Sequence, residues 1–253
     1  MTTETGPKTI VLETSSRVGM VALARGRTVL GQRVLDERRR HARDLAPSLQ
    51  QLLQEQGWKP KEVDAVIVNI GPGSYTGLRV GIMSAKAWAY ATGCRLLGVP
   101  SFEAVAWQVA HALADQAAAG VAWVLEDAQQ GRVYCQRFAL HRQAPGPLPG
   151  IEALTPLQVL PLDAWLAQVE EGAVVAGPAL RLYQARLPGR VLLAPEPAWL
   201  PQPAALAHLG LARLERGEAD NVLALEPLYA RPSAAEEQWQ KRAASASGPS
   251  PAC

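Results

Sequence analysis

The sequence predicts an α/β protein built from two α/β units in tandem, and three observations predict it. Ile10–Leu12 is an apolar run that stops at Glu13-Thr14-Ser15-Ser16 and resumes over Val18–Ala24, the signature of strand, polar turn and strand. The same order returns at Val121–Glu126, Asp127-Ala128-Gln129-Gln130-Gly131 and Arg132–Leu140. Between the two, the apolar spacing changes from strand-like to helical. Paired units of this kind face each other across a cleft.

The elements follow in order. After Gly26 turns the chain, Thr28–Leu35 reads as a third strand, joined tightly enough to be antiparallel. Across His41–Gln56, Ala42, Leu45, Ala46, Leu49, Leu52 and Leu53 fall on one helical face, with Gly57 as the stop signal. Pro47 is compatible with that helix if it starts near Asp44. Val63–Ile70 is a near-continuous apolar run between Pro60 and Gly71, as in a strand covered on both faces. A helix over about Thr76–Ala91, a strand over Arg95–Val99 and an Ala-rich helix over Ser101–Ala119 come next, the last capped by Ser101 with Glu103 near its positive end. Beyond the second hairpin, Gln143–Gly150 is a Pro/Gly loop, Pro161–Glu171 a helix, Ala173–Ala176 a strand and Pro203–Arg216 an amphipathic helix ended by Gly217. The expected units are 1–7 as a mobile start, 8–105 and 106–232 as the two α/β subdomains, and 233–253 as a disordered tail.

Composition narrows the function. With 253 residues, 48% hydrophobic, 19% charged and 6% aromatic, the chain is one large or two small globular domains, and collagen-like or wholly disordered classes are excluded. Lys plus Arg number 25 against 23 Asp plus Glu; a net charge of +2 excludes a nucleic-acid coat protein or a polybasic membrane binder. The three cysteines, Cys94, Cys135 and Cys253, make no CxxC pair, which predicts free thiols, a reducing compartment and no structural metal. The polar start reads as no secretory leader, and no apolar run reaches the roughly 18–20 residues of a membrane span, so a cytoplasmic protein is expected.

Gly71-Pro72-Gly73-Ser74-Tyr75-Thr76-Gly77-Leu78-Arg79 is the most informative stretch: it leaves a buried strand, turns through glycines and enters a helix. Gly71, Gly73, Ser74 and Thr76 form a loop that could aim backbone N–H groups at an anion, or simply let strand and helix pack closely. It is not a Walker loop, having no Lys after its last glycine, nor a nucleophile elbow. Gly77, Gly81, Ala85 and Ala89 recur every fourth residue, so one ridge of that helix is nearly bare and suited to close contact with another helix, in this chain or a partner. The segment Asp36–Asp44, with four arginines and three carboxylates, reads as a solvated junction in preference to a nucleic-acid backbone contact.

Glu13-Thr14-Ser15, the GPGSYTGLRVG block from Gly71, Gly98-Val99-Pro100-Ser101, Asp127-Ala128 with Gly131-x-Val133-Tyr134, and Glu226-Pro227-Leu228-Tyr229-x-Arg231 together resemble the TsaB family of the bacterial threonylcarbamoyladenosine pathway, grouped earlier with M22 glycoprotease homologues. The resemblance runs in order from about Thr9 to Arg231, and the GPGSYTGLR block is its most specific part. It implies a duplicated actin-like ATPase fold, as in sugar kinases and heat-shock proteins, with two α/β subdomains flanking a cleft. It also implies a non-catalytic scaffold that binds the catalytic subunit TsaD, with the ATPase TsaE joining them, for transfer of threonylcarbamoyl to the adenosine beside the tRNA anticodon. ATP would be used by the complex, with no cofactor bound by this chain alone, and tRNA met indirectly.

Residue by residue, the resemblance implies a degenerate nucleotide cleft at Glu13, Ser15, Ser16 and Asp127, and a partner surface on the first two long helices at Leu45, Leu49, Leu52, Gly77, Gly81, Ala85 and Trp88. Homodimerisation over that surface is the expected fallback of the isolated chain. The two metal-holding histidines of the TsaD family correspond here to Ser101 and Val105, with Glu103 between them, so a metal site is not expected; His41, His111, His141 and His208 make no i, i+4 pair. The chain departs from the family at Glu13, where relatives carry Asp, and at Gln129 and Arg132 in the second turn. The competing reading is an ATP-dependent phosphotransferase using the same cleft; a metalloprotease follows only from the older grouping.

Overall fold

The computed structural model describes residues 5–35, 43–113, 120–141 and 150–229. Most of the Asp36–Asp44 segment, the expected helix beyond Leu113, nearly all of the Gln143–Gly150 loop, Arg231 and the 233–253 tail lie outside the described residues. The first half runs β1 (Lys8–Glu13), β2 (Met20–Arg25), β3 (Thr28–Val34), α1 (Leu45–Glu55), β4 (Ala65–Gly71), α2 (Tyr75–Thr92) and β5 (Arg95–Pro100). These strands make one sheet in the order β3-β2-β1-β4-β5, with β2 antiparallel to both neighbours and β4 and β5 parallel to β1.

The second half runs α3 (Ser101–Ala112), β6 (Val121–Asp127), β7 (Arg132–Leu140), β8 (Ile151–Ala153), β9 (Gln158–Pro161), α4 (Leu162–Leu166), β10 (Val174–Ala176), α5 (Leu180–Tyr183), β11 (Leu192–Leu193) and α6 (Pro203–Glu215). Its sheet has the order β11-β10-β6-β7-β8, with β9 also paired to β7. Reading β6 as the counterpart of β1, this repeats the first sheet strand for strand, including the antiparallel second strand. The chain therefore has the duplicated actin-like fold.

The apolar runs are unbroken because the central strands are covered on both faces. Ile10, Leu12, Val66 and Val68 pack against α1 and α2, while the alternate residues Val11, Ile67, Leu97 and Val99 pack against α6. Helix α6 lies so close to β4 that a Cβ on Gly210 would meet Ile67 at 2.6 Å. It thus belongs by packing to the first sheet, across the boundary expected after residue 105. Helix α3 serves both sheets: Ala104 packs in the α6 layer, and Phe102, Val105 and Val109 pack in the core of the second sheet. Residues 218–229 then return along the β5 edge, where Asp220 N–H donates to Leu96 O (2.8 Å), Gly98 N–H donates to Asp220 Oδ2 (2.6 Å) and Leu228 N–H donates to Ile70 O (2.8 Å).

Three expectations change. Ser101 does not cap α3: Pro100 holds that position, and the Ser101 hydroxyl donates instead to Asn69 Oδ1 at 2.7 Å. The Pro161–Glu171 helix shrinks to α4, because Pro161 ends β9 and the chain after Leu166 turns to bring Glu170 onto Trp123 Nε1 (2.8 Å) and Arg137 Nε (2.7 Å). Strands β8, β9 and β11 were not expected; at two to four residues they are too short to show a period. Among the described residues, no helix is long and apolar enough to cross a membrane.

Candidate functional site

The two polar turns, Glu13–Ser16 after β1 and Asp127–Gly131 after β6, face each other across a cleft of about 990 Å³. Ser15, Ser16, Gly73, Ser74, Glu126, Asp127, Tyr75 and Tyr229 are among the residues that line it. Ser74 N–H donates to Ser15 O (2.6 Å), and Ser74 Oγ caps α2 by accepting from Gly77 N–H (3.2 Å). The glycines of the loop serve close approach: a Cβ on Gly73 would lie 2.4 Å from Ser15 O, and one on Gly77 would lie 2.0 Å from Thr14 O. At the helix end, Tyr229 stacks on Tyr75 with ring centres 4.9 Å apart, and Arg79 Nε donates to the Tyr229 hydroxyl (2.9 Å). Thr76 is exposed beside them.

Glu13 is fully buried and does not open onto the cleft. Its Oε1 accepts from Ser15 N–H (2.8 Å), the Ser15 hydroxyl (2.6 Å) and Ser16 N–H (3.2 Å), and its Oε2 accepts from the Asn69 amide. The Asn69 amide also donates to Ser15 Oγ (3.0 Å), while Asn69 Oδ1 accepts from Gly71 N–H (2.8 Å) and from Ser101. One closed polar network therefore joins the ends of β1 and β4 to the start of α3. Burial pushes the Glu13 carboxyl up to about 7, against the opposing pull of those hydrogen bonds. The sequence reading missed Asn69, although a lone amide in the apolar run AVIVNIG was the available signal.

The other expected cleft residues are engaged as well. Ser16 Oγ donates to Val18 O (2.8 Å), and Asp127 Oδ1 accepts from Gln129 N–H and the Tyr183 hydroxyl, both at 3.0 Å. Gln129 and Gln130 sit at φ 62° and 54°, left-handed values that cost a non-glycine residue about 1–2 kcal/mol each. A magnesium-bound phosphate needs carboxylate or water oxygens free to complete an octahedron. Glu13 does not meet that requirement, because both of its oxygens are taken up inside the protein.

At the foot of the cleft, burial pushes the Glu126 carboxyl up to about 7, aided by the charges of Asp127 and Glu13, while it accepts a 3.2 Å bond from Asp127 N–H. A carboxyl raised in the folded state costs stability as pH climbs from about 4.5 through 7 and costs it fully above. Glu126→Gln should therefore match wild type near pH 4.5 and gain on the order of 2–3 kcal/mol by pH 8. Urea melts at both pH values check this; a gain equal at both would contradict it.

The expected partner surface divides in two. Gly77, Gly81, Ala85 and Leu52 face inward: Gly81 lies against Thr14, where a Cβ would meet Oγ1 at 2.2 Å, and Ala85 and Leu52 are in the α1/α2 core. The bare ridge thus receives the β1 turn of the same chain, not another helix. Leu45 and Leu49 are buried in that core too, but with Trp88 they line an apolar groove of about 710 Å³ between α1 and α2. The outward face around the groove carries Ala46, Pro47, Gln50, Met83, Ala87 and Tyr90, with Met83 62% and Tyr90 80% exposed. Lys86, the nearest α2 charge, is turned to Leu223 O (2.9 Å) and Leu225 O (3.2 Å). Among the described residues no three His, Cys, Asp or Glu side chains cluster as a metal site would require, and Val105 lies in the second core.

The sequence model described as "TsaD: tRNA N6-adenosine threonylcarbamoyltransferase" matches residues 28–149. An uncharacterized protein of Mycobacterium tuberculosis is 31% identical over 185 residues, covering 73% of this chain and 81% of that one. The tRNA threonylcarbamoyladenosine biosynthesis protein TsaB of Bacillus subtilis is 27% identical over 237 residues, 91% of this chain and 96% of that one. The solved structure of YeaZ from Pseudomonas aeruginosa superimposes with a TM-score of 0.70 at 25% identity, covering 88% of this chain and 99% of that one.

Proposed function

The chain belongs to the TsaB family, and from that membership we propose that it acts in tRNA threonylcarbamoyladenosine biosynthesis as a subunit without a catalytic centre of its own. In this reading it binds a TsaD-type transferase in the cytoplasm, TsaE joins the pair, and ATP is consumed by the assembly. The observation that carries it is the Glu13–Asn69–Ser101 network. It spends, on holding β1, β4 and α3 together, the carboxylate and hydroxyls that a nucleotide-using or metal-using relative would keep for its ligand.

The face around the α1/α2 groove supports the partner assignment. An apolar, nearly charge-free helix face with exposed Met83 and Tyr90 is costly to leave in water and suits burial against another apolar surface. Ala87→Asp places an unpaired charge at its centre on an exposed position. It should abolish co-elution with the transferase subunit in size-exclusion chromatography, and any dimer of the isolated chain, while the melting temperature stays within about 2 °C of wild type. An intact complex would overturn the mapping. Calorimetric titration of the isolated chain with ATP and magnesium addresses the phosphotransferase alternative: the proposal expects no saturable heat.

A further inference from the structure

A further cavity, of about 480 Å³, lies in the seam between the two sheets, away from the cleft. Its walls come from both halves: Val99 of β5 and Leu209 of α6 on one side, Phe138 of β7 and Ile151 of β8 on the other. Glu103, in the first turn of α3, looks into it and accepts no hydrogen bond from any described residue. Arg213, the cation whose charge acts on Glu103, is already hydrogen-bonded elsewhere. Its Nε donates to Glu218 Oε2 (2.9 Å), its Nη1 to Gly98 O (2.7 Å) and Asp220 Oδ2 (3.0 Å), and its Nη2 to Asp220 Oδ1 (2.9 Å). Arg216, at the rim, donates to Glu218 Oε1. Among the described residues two guanidiniums therefore face three carboxylates, and the surplus negative charge rests on Glu103.

A half-buried carboxylate with no donor among apolar walls is a costly arrangement that a ligand can relieve. One carboxylate oxygen pair cannot coordinate a calcium or magnesium ion, which needs six or more oxygens, and an anion would meet Glu103 head-on. An ammonium supplies charge and three donors to Glu103, and an apolar body fills the walls. We propose that this seam pocket binds a small organic cation, a primary amine with an apolar body, through Glu103. The desolvation that raises the Glu103 carboxyl above its ordinary range agrees with an unfilled donor requirement. This inference is independent of the subunit role above, and a bound amine would tie the two sheets together across α3 and α6.

Calorimetry and saturation-transfer NMR on the full chain test it with benzylammonium, benzyl alcohol and benzoate. Benzylammonium should bind saturably below about 10 mM, benzyl alcohol at least about tenfold more weakly and benzoate not at all. Glu103→Gln should weaken benzylammonium at least about tenfold. Ala153→Trp, at an exposed position on the β8 rim, should block it without touching Glu103. Since no donor on the protein is lost, Glu103→Gln should melt no lower than wild type. Benzoate binding as well as the amine, no saturable amine binding, unchanged affinity in Glu103→Gln or Ala153→Trp, or a lower melting temperature of Glu103→Gln would each overturn the proposal.

Discussion

Gly81→Leu should leave no stably folded monomer. The space a side chain needs at this position is filled by Thr14, whose Oγ1 lies 2.2 Å from where a Cβ would be, and Thr14 belongs to the buried turn that carries Glu13. Neither side can yield cheaply: α2 is pinned to the same turn at Gly77, where a Cβ would sit 2.0 Å from a backbone carbonyl. Overpacking usually costs about 1–3 kcal/mol, but a four-carbon side chain against a fixed turn exceeds that range and approaches the whole stability of a domain. Circular dichroism melts and yield of soluble protein check it. Ala87→Leu, on the exposed face of the same helix, is the control and should melt like wild type. A folded Gly81→Leu monomer that has merely lost its partner would restore the glycine ridge to a subunit interface.

Asn69→Ala should cost about 3–5 kcal/mol, the second-largest effect. The amide donates two bonds and accepts two, all inside the protein, so its removal strands Glu13 Oε2, Gly71 N–H and the Ser101 hydroxyl together. A water admitted to the gap would recover part of the loss. The penalty should grow as pH rises through about 7, because Glu13 then ionises with one donor fewer to hold its charge. Urea unfolding at pH 5 and pH 8 reads both quantities; a cost below about 1 kcal/mol at both would mean the network is dispensable.

The large elements were legible because their signals are long. The hairpins β1–β2 and β6–β7, the covered strand β4, and helices α1, α2 and α6 all have periods or runs that local chemistry cannot mimic, with Gly57 and Gly217 marking stops at left-handed φ of 63° and 79°. Short edge strands and the truncated α4 were not legible, since tertiary partners such as Trp123 and Arg137, distant in sequence, decide where residues 166–173 go. The site shows the same division. The cleft and its two turns could be read from the repeat, but not the inward rotation of Glu13, because its partners Asn69 and Ser101 lie on other elements. The small-residue ridge of α2 announced close contact correctly; spacing alone could not say that the contact is a turn of the same chain.

Reconstitution of threonylcarbamoyladenosine on tRNA from purified components tests the central claim most directly: this chain alone, then with the TsaD-type transferase, TsaE and the enzyme that forms the threonylcarbamoyl adenylate. The account predicts modified adenosine only when this chain accompanies the others, and none from the chain by itself. Product formed by this chain alone, or undiminished product when it is omitted, would contradict it.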